Sequence, residues 1–156
     1  MKTQKSYTVD EATKVLEHFC AYQERCHKEV EQKLYDLKMI PEAKEKIILH
    51  LLQHNFLNEE RFAKAFVRGK FSIKKWGRIK IVNQLRFKNI SPYNIKAGLN
   101  EINEDDYVAT LQKIALKKIP LLKEANTYKK KNKLAVFLIS KGYESGLTYK
   151  IVNELI

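Results

Sequence analysis

Apolar residues recur along this chain three or four positions apart, and no segment alternates apolar and polar residues for long. That spacing predicts helices, because a strand buried on one face needs a period of two. Helix starts are also marked. Thr8 and Glu11 match a capping box, while Asn58 and Ser91 can cap the helices that follow them. The sequence therefore predicts an all-α fold.

The apolar pattern itself repeats, with Leu34, Leu85 and Leu138 as reference points spaced 51 and 53 residues apart. Apolar or aromatic residues recur four positions before each reference leucine and five, fourteen and seventeen positions after it. Pro41 and Pro92 share an offset as well, seven positions after their own references. Each unit is thus predicted to hold a leading helix, a helix ending near its reference leucine, a tight turn, and a third helix buried through the last two offsets.

The repeat pattern predicts that residues 1–156 form a single chain of three tandem three-helix repeats. We expect these repeats to stack as an elongated, curved helical solenoid, with units at 9–54, 55–103 and 104–156. Leading helices are predicted at about 9–25, 58–70 and 104–118. The third unit departs most from the pattern, because Pro120 and the lysine-rich segment 123–133 lengthen its first connection.

The composition is that of a folded protein, with 44% hydrophobic residues and only three prolines and five glycines. A chain of this length can bury roughly 70% of its unfolded surface. Its longest apolar run, Leu134 to Ile139, has six residues, far fewer than the ~20 needed to cross a bilayer. The N-terminal segment 1–8 has no apolar stretch of signal-peptide type, so we expect a cytoplasmic protein with no membrane partner. Cys20 and Cys26 are then expected to be free thiols.

Charge is distributed unevenly along the chain. Residues 1–60 carry nine basic and eleven acidic side chains, whereas residues 61–156 carry twenty-one and seven. The two parts have balances of −2 and +14, which sum to the net charge of +12. A second basic run lies at 113–133, where Glu124 is the one acidic residue. Such asymmetry is typical of an oriented electrostatic surface.

The centre of the chain has charge of one sign. Eleven Lys or Arg residues and no Asp or Glu lie between Arg61 and Asn100. The basic positions are Arg61, Lys64, Arg68, Lys70, Lys74, Lys75, Arg78, Lys80, Arg86, Lys88 and Lys96. The aromatic residues among them are Phe62, Phe66, Phe71, Trp76, Phe87 and Tyr93. Charge of one sign over this length favours a polyanionic partner, and nucleic acid is the usual one. The alternative is a merely basic, soluble surface.

Catalytic patterns have little support in this sequence. His50 and His54 have a spacing able to hold zinc, but the glutamate of a His-Glu-x-x-His motif is missing and no third ligand is evident. Gly69 and Gly77 stand alone rather than in a phosphate-cradling loop. The acids at 104–106 are better explained as an acidic helix start than as a metal site. We therefore expect no enzymatic activity, no cofactor and no metal.

Residues 55–63 read Asn-Phe-Leu-Asn-Glu-Glu-Arg-Phe-Ala, and Phe-Val-Arg follows at 66–68. This segment resembles the signature of the RecX regulatory family, roughly Gly-aromatic-Leu-Asp-Asp-Glu-Arg-Phe-Ala followed by an aromatic residue and Arg. The segment from Trp76 to Ile90 is similar to the family's glycine-led second helix and its Leu-x-x-Lys-Gly-Ile turn. Asn stands at 55, 58 and 89, where the family has Gly, Asp and Gly. Asn tolerates a left-handed backbone and caps helices, so the replacements preserve the local chemistry.

The resemblance implies a modulator of the bacterial RecA recombinase that lies along the groove of RecA filaments on single-stranded DNA. Such a protein suppresses ATP hydrolysis and strand exchange, or promotes filament loss. It also binds single- and double-stranded DNA directly, without regard to sequence, and acts as a monomer in the bacterial cytoplasm. The rival hypothesis is a stand-alone DNA-binding protein of helix-turn-helix type, which predicts sequence-specific duplex binding and usually a dimer.

Within the signature, most residues are predicted to be structural. Phe62 and Phe66 are spaced to share one helix face and to pack in the core, with Leu57 as a hydrophobic staple. Arg61 lies at a helix start and is expected to link to a neighbouring helix or carboxylate. The predicted structural set is Leu57, Arg61, Phe62, Ala63, Phe66 and Leu85.

The predicted interface lies mainly in the segment after the signature. Lys74, Lys75 and Arg78 occupy a turn and a helix start, where side chains and backbone N–H groups can contact phosphate together. Lys80 and Phe87 fall on the polar face of the next helix, and Phe87 can stack on a base, dock on a partner or pack against the adjacent repeat. The full predicted binding set is Arg68, Lys70, Lys74, Lys75, Arg78, Lys80, Phe87, Lys88, Lys129, Lys130 and Lys131.

Overall fold

The computed structural model describes residues 6–156. Over that range the chain forms nine α-helices and one short 3-10 turn, with no strand. The helices are α1 (Val9–Tyr22), α2 (His27–Asp36), α3 (Pro41–Gln53), α4 (Glu59–Ser72), α5 (Arg78–Phe87), α6 (Pro92–Leu99), α7 (Glu104–Lys118), α8 (Thr127–Ser140) and α9 (Ser145–Leu155). The predicted all-α class is confirmed. Part of the N-terminal segment used to argue against a signal peptide, residues 1–5, lies outside the described residues.

Helix starts follow the capping residues in the sequence. The Thr8 hydroxyl accepts a hydrogen bond from the Glu11 N–H at 3.1 Å, and the Thr8 N–H donates to the Glu11 carboxylate at 3.0 Å. The Asn58 side chain accepts from the Arg61 N–H at 2.9 Å, and Ser91 caps α6 in the same way. Each cap satisfies a backbone N–H that the first helical turn leaves free. The predicted starts at Thr8, Asn58 and Ser91 are therefore confirmed.

The second helix of every unit ends in the same turn. Lys38, Asn89 and Gly142, each four residues after a reference leucine, have φ angles of 60°, 61° and 100°. In each turn the next residue donates its N–H to the carbonyl of the reference leucine, at 3.1, 3.0 and 3.4 Å. This is the Schellman arrangement of a helix C-terminus. Asn55 ends α3 with a φ of 61°, so the Asn residues at 55 and 89 do adopt the left-handed backbone expected of them.

Each unit has its own buried core. The reference leucines and the residues four positions before them are all fully buried. The prediction for the third helices is confirmed at Leu51 and Val152, which are buried, whereas Ile48, Leu99 and Leu155, and Ile102 just after α6, are only half-buried. The helices turn other residues inward, and α6 lies so close to α4 that a Cβ on Gly98 would sit 3.0 Å from the Ala63 carbonyl oxygen. The buried residues at other positions of these helices include Ile47, Ile95 and Ile151.

Helices pack mainly against the other helices of their own unit: α1 on α3, α4 on α6, and α8 on α9. The longer connection predicted in the third unit is present, as a 3-10 turn at Ile119–Leu121 followed by residues 122–126 before α8. Within residues 6–156, no helix is both long enough and apolar enough to span a bilayer. Units are therefore joined through a small number of specific contacts, and those contacts position the candidate site.

Candidate nucleic-acid interface

The basic stretch of the sequence is partly neutralised in the folded chain. Four of its eleven cations form ion pairs with carboxylates that lie outside the stretch. The pairs are Arg61 with Glu24 at 2.5 Å, Lys64 with Glu60 at 3.3 Å, Arg68 with Glu101 at 3.3 Å, and Arg78 with Glu104 and Glu144, both at 2.8 Å. Arg68 stays about half exposed and keeps a place at the surface. Unpaired charge is thus concentrated after residue 68.

Four lysines at and beside the turn between α4 and α5 form what we call the basic cluster: Lys70, Lys74, Lys75 and Lys80. None of them has an ion pair among residues 6–156. Lys74 and Lys75 are exposed, whereas Lys70 and Lys80 are half-buried. Lys75 has a φ of 60°, which turns the chain sharply before Trp76. The turn therefore presents four uncompensated positive charges within eleven residues.

Trp76 lies at the centre of the basic cluster. Its ring centroid is 4.9 Å from the Lys70 ammonium and 4.5 Å from the Lys80 ammonium. Both distances are within the range of cation–π attraction, which holds the two lysines beside the ring. Sequence reasoning named Trp76 among the aromatic residues of the basic stretch but omitted it from the binding set. The available signal was that Trp76 is the one tryptophan of the chain and lies between the pair Lys74–Lys75 and Arg78.

Arg78 has a different role from the one predicted. Its guanidinium donates to Glu104 at 2.8 Å and to Glu144 at 2.9 Å, and it lies 3.9 Å from the Tyr107 ring centroid. Burial alone would lower the pKa of Arg78, but the hydrogen bond to Glu104 and the charge of Glu144 raise it above the usual value. Each of the three guanidinium nitrogens has a carboxylate partner within the protein, so Arg78 makes a structural contact here and we leave it out of the proposed interface.

Arg78 belongs to a contact between the second and third units that we call the second joint. Gly77 donates its N–H to the Lys141 carbonyl at 2.8 Å, and the Tyr143 hydroxyl donates to the Lys75 carbonyl at 2.8 Å. Gly77 lies against the Gly142 backbone, where a Cβ on either glycine would overlap its neighbours. The Tyr107 hydroxyl donates to Glu144, and burial with this hydrogen bond raises the pKa of Tyr107. The second joint fixes the start of α5 and therefore the turn that carries the basic cluster.

The contact between the first and second units, the first joint, consists of side chains. Arg61 pairs with Glu24 and also donates to the Asn55 carbonyl at 2.9 Å. Lys28 donates to the Phe87 carbonyl at 2.9 Å, and its ammonium lies 4.1 Å from the Phe87 ring centroid. Phe87 nevertheless remains 70% exposed. Phe87 thus contacts the first unit at its edge and keeps most of its ring available for a partner.

The other predicted binding residues are more scattered. Lys88 is half-buried at the end of α5. Lys129, Lys130 and Lys131 lie in the first turn of α8, where the Lys129 N–H is capped by Asn126. No side-chain contact within residues 6–156 joins these three lysines to the basic cluster. They remain a predicted second contact region on the third unit.

His50 contacts other side chains of the protein, and both cysteines are buried within it. His50 lies 3.0 Å from the Glu17 carboxylate, and its ring is 4.4 Å from that of His54. No group of three or more His, Cys, Asp or Glu side chains in the described part of the chain is placed to hold a metal ion. Cys20 and Cys26 are free and buried, and burial raises the pKa of both thiols to about 11.

Comparison with known proteins identifies the family. Residues 58–99 match the second three-helix domain of RecX, and residues 104–152 match the third. Together these matches cover more than half of the chain. The chain belongs to the RecX family. The matched ranges contain α4–α6 and α7–α9, so the second and third helix triplets seen here correspond to domains of RecX.

Bacterial relatives support this assignment. The chain is 32% identical over 133 residues to the regulatory protein RecX of Clostridium perfringens (strain 13 / Type A), covering 84% of this chain and 62% of the relative. It is 34% identical over 132 residues to the regulatory protein RecX of Clostridium botulinum (strain Alaska E43 / Type E3), covering 83% and 61%. The chain thus spans less than two thirds of the length of these relatives.

Solved structures show the same fold. The crystal structure of RecX from Lactobacillus salivarius matches with a TM-score of 0.85 at 24% identity, covering 94% of this chain and 96% of that one. A second crystal structure, of a regulatory protein RecX, matches with a TM-score of 0.83 at 21% identity, covering 94% and 73%. The helical repeat fold is therefore that of RecX.

The RecX signature residues have mostly structural positions in this chain. Phe62 and Ala63 are buried in the core of the second unit, as is Leu85. Leu57 is buried as well, but in the core of the first unit rather than with Phe62 in that of the second. Phe66 is half-buried, with its ring centroid 5.7 Å from that of Phe62. The buried members of the signature therefore build α4 and the first joint, while Phe66 and Arg68 keep part of their surface exposed.

Proposed function

We propose that this protein regulates the RecA recombinase by binding RecA filaments on single-stranded DNA, where it suppresses ATP hydrolysis and strand exchange. Membership of the RecX family supports a regulatory role, since the relatives carry the name regulatory protein RecX. The proposal includes direct, sequence-independent binding to DNA and action as a monomer. No catalytic step by the protein itself is part of the proposed mechanism.

The observation that carries the proposal is the basic cluster. Lys70, Lys74, Lys75 and Lys80 have no ion pair among residues 6–156, although four other cations of the same stretch do. Unpaired lysines on a turn repel one another unless an anion compensates them, and a row of phosphates does so. Phosphate contacts of this kind are independent of sequence, as a protein that follows a filament requires.

The joints support a role along a filament. The second joint fixes the orientation of the third unit through backbone hydrogen bonds at Gly77 and Ile79. Lys129, Lys130 and Lys131 on α8 are therefore held at a defined position relative to the basic cluster. Two basic regions on one folded chain can contact separated phosphates of the same nucleoprotein assembly, and many weak contacts together give useful affinity.

The direct test is the rate of ATP hydrolysis by RecA on single-stranded DNA in the presence of sub-stoichiometric amounts of this protein. We expect suppression well below one molecule per RecA subunit, because a regulator in the filament groove acts on more than its immediate neighbour. An unchanged ATPase rate with folded protein would contradict the proposal. Sequence-specific binding to a duplex by a dimer would instead support the helix-turn-helix alternative.

A further inference from the structure

A groove of about 490 Å³ lies between the first and second units, beside the basic cluster. Its volume is in the range of ligand sites, about 300–1,000 Å³. The first unit contributes Glu24 and Glu29 to its wall, and the second unit contributes Phe66, Lys70, Trp76 and Lys88. Phe62 and Phe66 of the RecX signature line this groove, but their packing in the second unit does not explain why an open groove remains beside them. The groove therefore requires an explanation of its own.

The aromatic side chains give the groove a stacking surface. Phe66 and Trp76 are both half-buried, so each ring keeps an exposed part. The Lys70 ammonium lies 5.4 Å from the Phe66 ring centroid and 4.9 Å from that of Trp76. Aromatic rings interleaved with lysines are the arrangement by which proteins bind single strands, with bases on the rings and phosphates on the ammonium groups. An aliphatic groove would offer no such surface.

The first unit supplies hydrogen-bond acceptors opposite the rings. One oxygen of the Glu24 carboxylate accepts from Arg61 at 2.5 Å, while Glu24 Oε2 has no hydrogen-bond partner within the described residues. The Glu24 side chain is 30% exposed and lines the groove. This oxygen is itself buried, so a ligand N–H reaches it only when the Glu24 side chain turns it toward the groove, and that bond would satisfy an acceptor left unpaired in the free protein. The groove thus favours a ligand that is flat, aromatic and rich in N–H groups.

Charge separates the two classes of ligand that match this description. An arginine of a partner protein is flat and rich in N–H groups. However, Glu24 is already paired with Arg61 and Glu29 accepts from the Cys26 N–H, while Lys70 and Lys88 of the wall would repel the guanidinium. A nucleotide brings a base with N–H groups on its pairing edge and a phosphate that these lysines attract. In a duplex those N–H groups are already paired and both faces of the base are stacked. Only an unpaired base can present them to the groove.

We propose that the groove between the first and second units binds an unpaired nucleobase of a DNA strand, stacked on Trp76, with the flanking phosphates on Lys70 and Lys80. This inference rests on the proposed DNA binding and deepens it, because it assigns a preference for single strands over duplexes. The preference is independent of sequence, since every base has an aromatic face and an N–H donor on its pairing edge.

The chain contains its own probe, because Trp76 is its one tryptophan. The experiment titrates the protein with three DNAs of equal length: oligothymidylate, a strand of abasic sites with the same phosphates, and a duplex. We expect oligothymidylate to quench Trp76 fluorescence and the abasic strand to leave it nearly unchanged. Affinity for the abasic strand should be about 5-fold to 150-fold lower, the usual contribution of base stacking.

A pair of variants sharpens the test, with binding followed by the anisotropy of labelled DNA. Trp76→Leu should remove the preference for oligothymidylate over the abasic strand, whereas Trp76→Phe should retain part of it. Tyr35→Leu is the matched control, because Tyr35 is an exposed aromatic residue of the first unit that does not line this groove. Circular dichroism shows whether each variant is folded, and the fluorescence titration of the unaltered protein needs no variant.

The outcomes separate this inference from the proposed function. Equal affinity for oligothymidylate and the abasic strand, with unchanged Trp76 emission, would overturn the base-binding groove and leave phosphate binding intact. Equal affinity for oligothymidylate and the duplex would overturn it as well. Failure to bind any of the three DNAs would refute both direct DNA binding and the groove, while suppression of RecA ATPase would still be decided by its own assay.

Discussion

The two joints of this molecule are built from different groups. The second joint brings backbone against backbone, with Gly77 against Gly142 and N–H groups of Gly77 and Ile79 on carbonyls of the third unit. The first joint relies on long side chains, mainly Arg61 on Glu24 and Lys28 on Phe87. The second joint leaves no room for a Cβ on Gly77 or Gly142, whereas the first joint leaves a groove of about 490 Å³.

This difference shows how one chain can be rigid and adaptable at successive contacts. Backbone hydrogen bonds at glycines hold the second and third units in one relative orientation, because neither partner can change rotamer. Side-chain pairs such as Arg61 with Glu24 can rearrange at modest cost, since both groups are about one-third exposed. We therefore propose that a ligand enters at the first joint, while the second joint holds the basic cluster in a fixed position.

The largest expected effect comes from adding a methyl group at the second joint. Gly77→Ala places a Cβ within the backbone of Gly142 and Tyr143, neither of which can move aside like a flexible side chain. We expect a loss of at least ~3 kcal/mol in the free energy of unfolding, the upper end for overpacking. The measurement is urea denaturation followed by circular dichroism.

Gly69→Ala is the matched control for that change. Gly69 is in the interior of α4, and a Cβ there would meet nothing within 4 Å. The substitution should stabilise the protein by roughly 0.5–1 kcal/mol, since alanine has the higher helix propensity. If both glycine variants had the same stability, the second joint would not be the rigid contact described here.

The next largest effect distinguishes the structural role of Arg78 from the binding role that we propose for Lys74. Arg78→Met removes donors that Glu104 and Glu144 use, so we expect a loss of about 1.5–3 kcal/mol, as for hydrogen bonds to charged groups. Lys74→Met should change stability by less than about 0.5 kcal/mol, because Lys74 is an exposed surface residue. DNA binding should show the reverse order. A stable Arg78→Met protein with weakened DNA binding would restore Arg78 to the interface.

The repeat was predictable from sequence because its cores are local. Leu34, Leu85 and Leu138 occupy equivalent helix ends, and the three turns behind them adopt the same backbone although they contain Lys, Asn and Gly. Caps such as Asn58 were predictable for the same reason, since donor and acceptor are three residues apart. The buried faces of the third helices were predicted less accurately. In the second unit α6 approaches α4 closely at Gly98, and the spacing of apolar residues does not indicate that approach.

The candidate site was predictable only in outline. The excess of positive charge could be counted, but most of the pairs that cancel part of it join distant residues. Arg61 meets Glu24 across 37 positions, and Arg78 meets Glu144 across 66. Gly77 belongs to no glycine motif in the sequence, and its role is evident only from its close contact with the Gly142 backbone in the fold. Charge composition therefore located the basic region, while the fold decided which of its cations remain unpaired.

The smallest expected effect is a difference between the rates at which the two buried cysteines react with a thiol reagent. Cys20 is buried in the core of the first unit, whereas Cys26 is buried against the core of the second unit at the first joint. Burial raises the pKa of both thiols to about 11. Thiolate is therefore scarce near neutral pH and the labelling rate should rise as the pH is raised. We expect Cys26 in a Cys20→Ala variant to react faster than Cys20 in a Cys26→Ala variant, because the first joint opens without unfolding the first unit.

Labelling with a thiol reagent in native buffer, with denatured protein as the reference, measures those rates. Oligothymidylate should slow the reaction of Cys26 more than that of Cys20, since the groove at the first joint is then occupied. Equal native rates for the two cysteines would mean that the first joint opens only on global unfolding.

The central claim is that the basic cluster is an oriented contact for nucleic acid and not simply part of a basic surface. The test compares two triple variants, Lys74, Lys75 and Lys80 to Glu, and Lys14, Lys38 and Lys46 to Glu. The second set consists of exposed lysines of the first unit. Each variant lowers the net charge by six, from +12 to +6. Position therefore differs between them while total charge does not.

The measurement is the salt dependence of binding to single-stranded DNA, with RecA ATPase suppression followed in parallel. Each phosphate neutralised contributes about 0.7 to the log–log slope for a single strand. We predict that reversal at Lys74, Lys75 and Lys80 lowers the slope by about 2 and abolishes most of the suppression. The first-unit variant should keep nearly the full slope and the full suppression. Equal losses in the two variants would contradict the claim, because bulk charge alone would then account for binding.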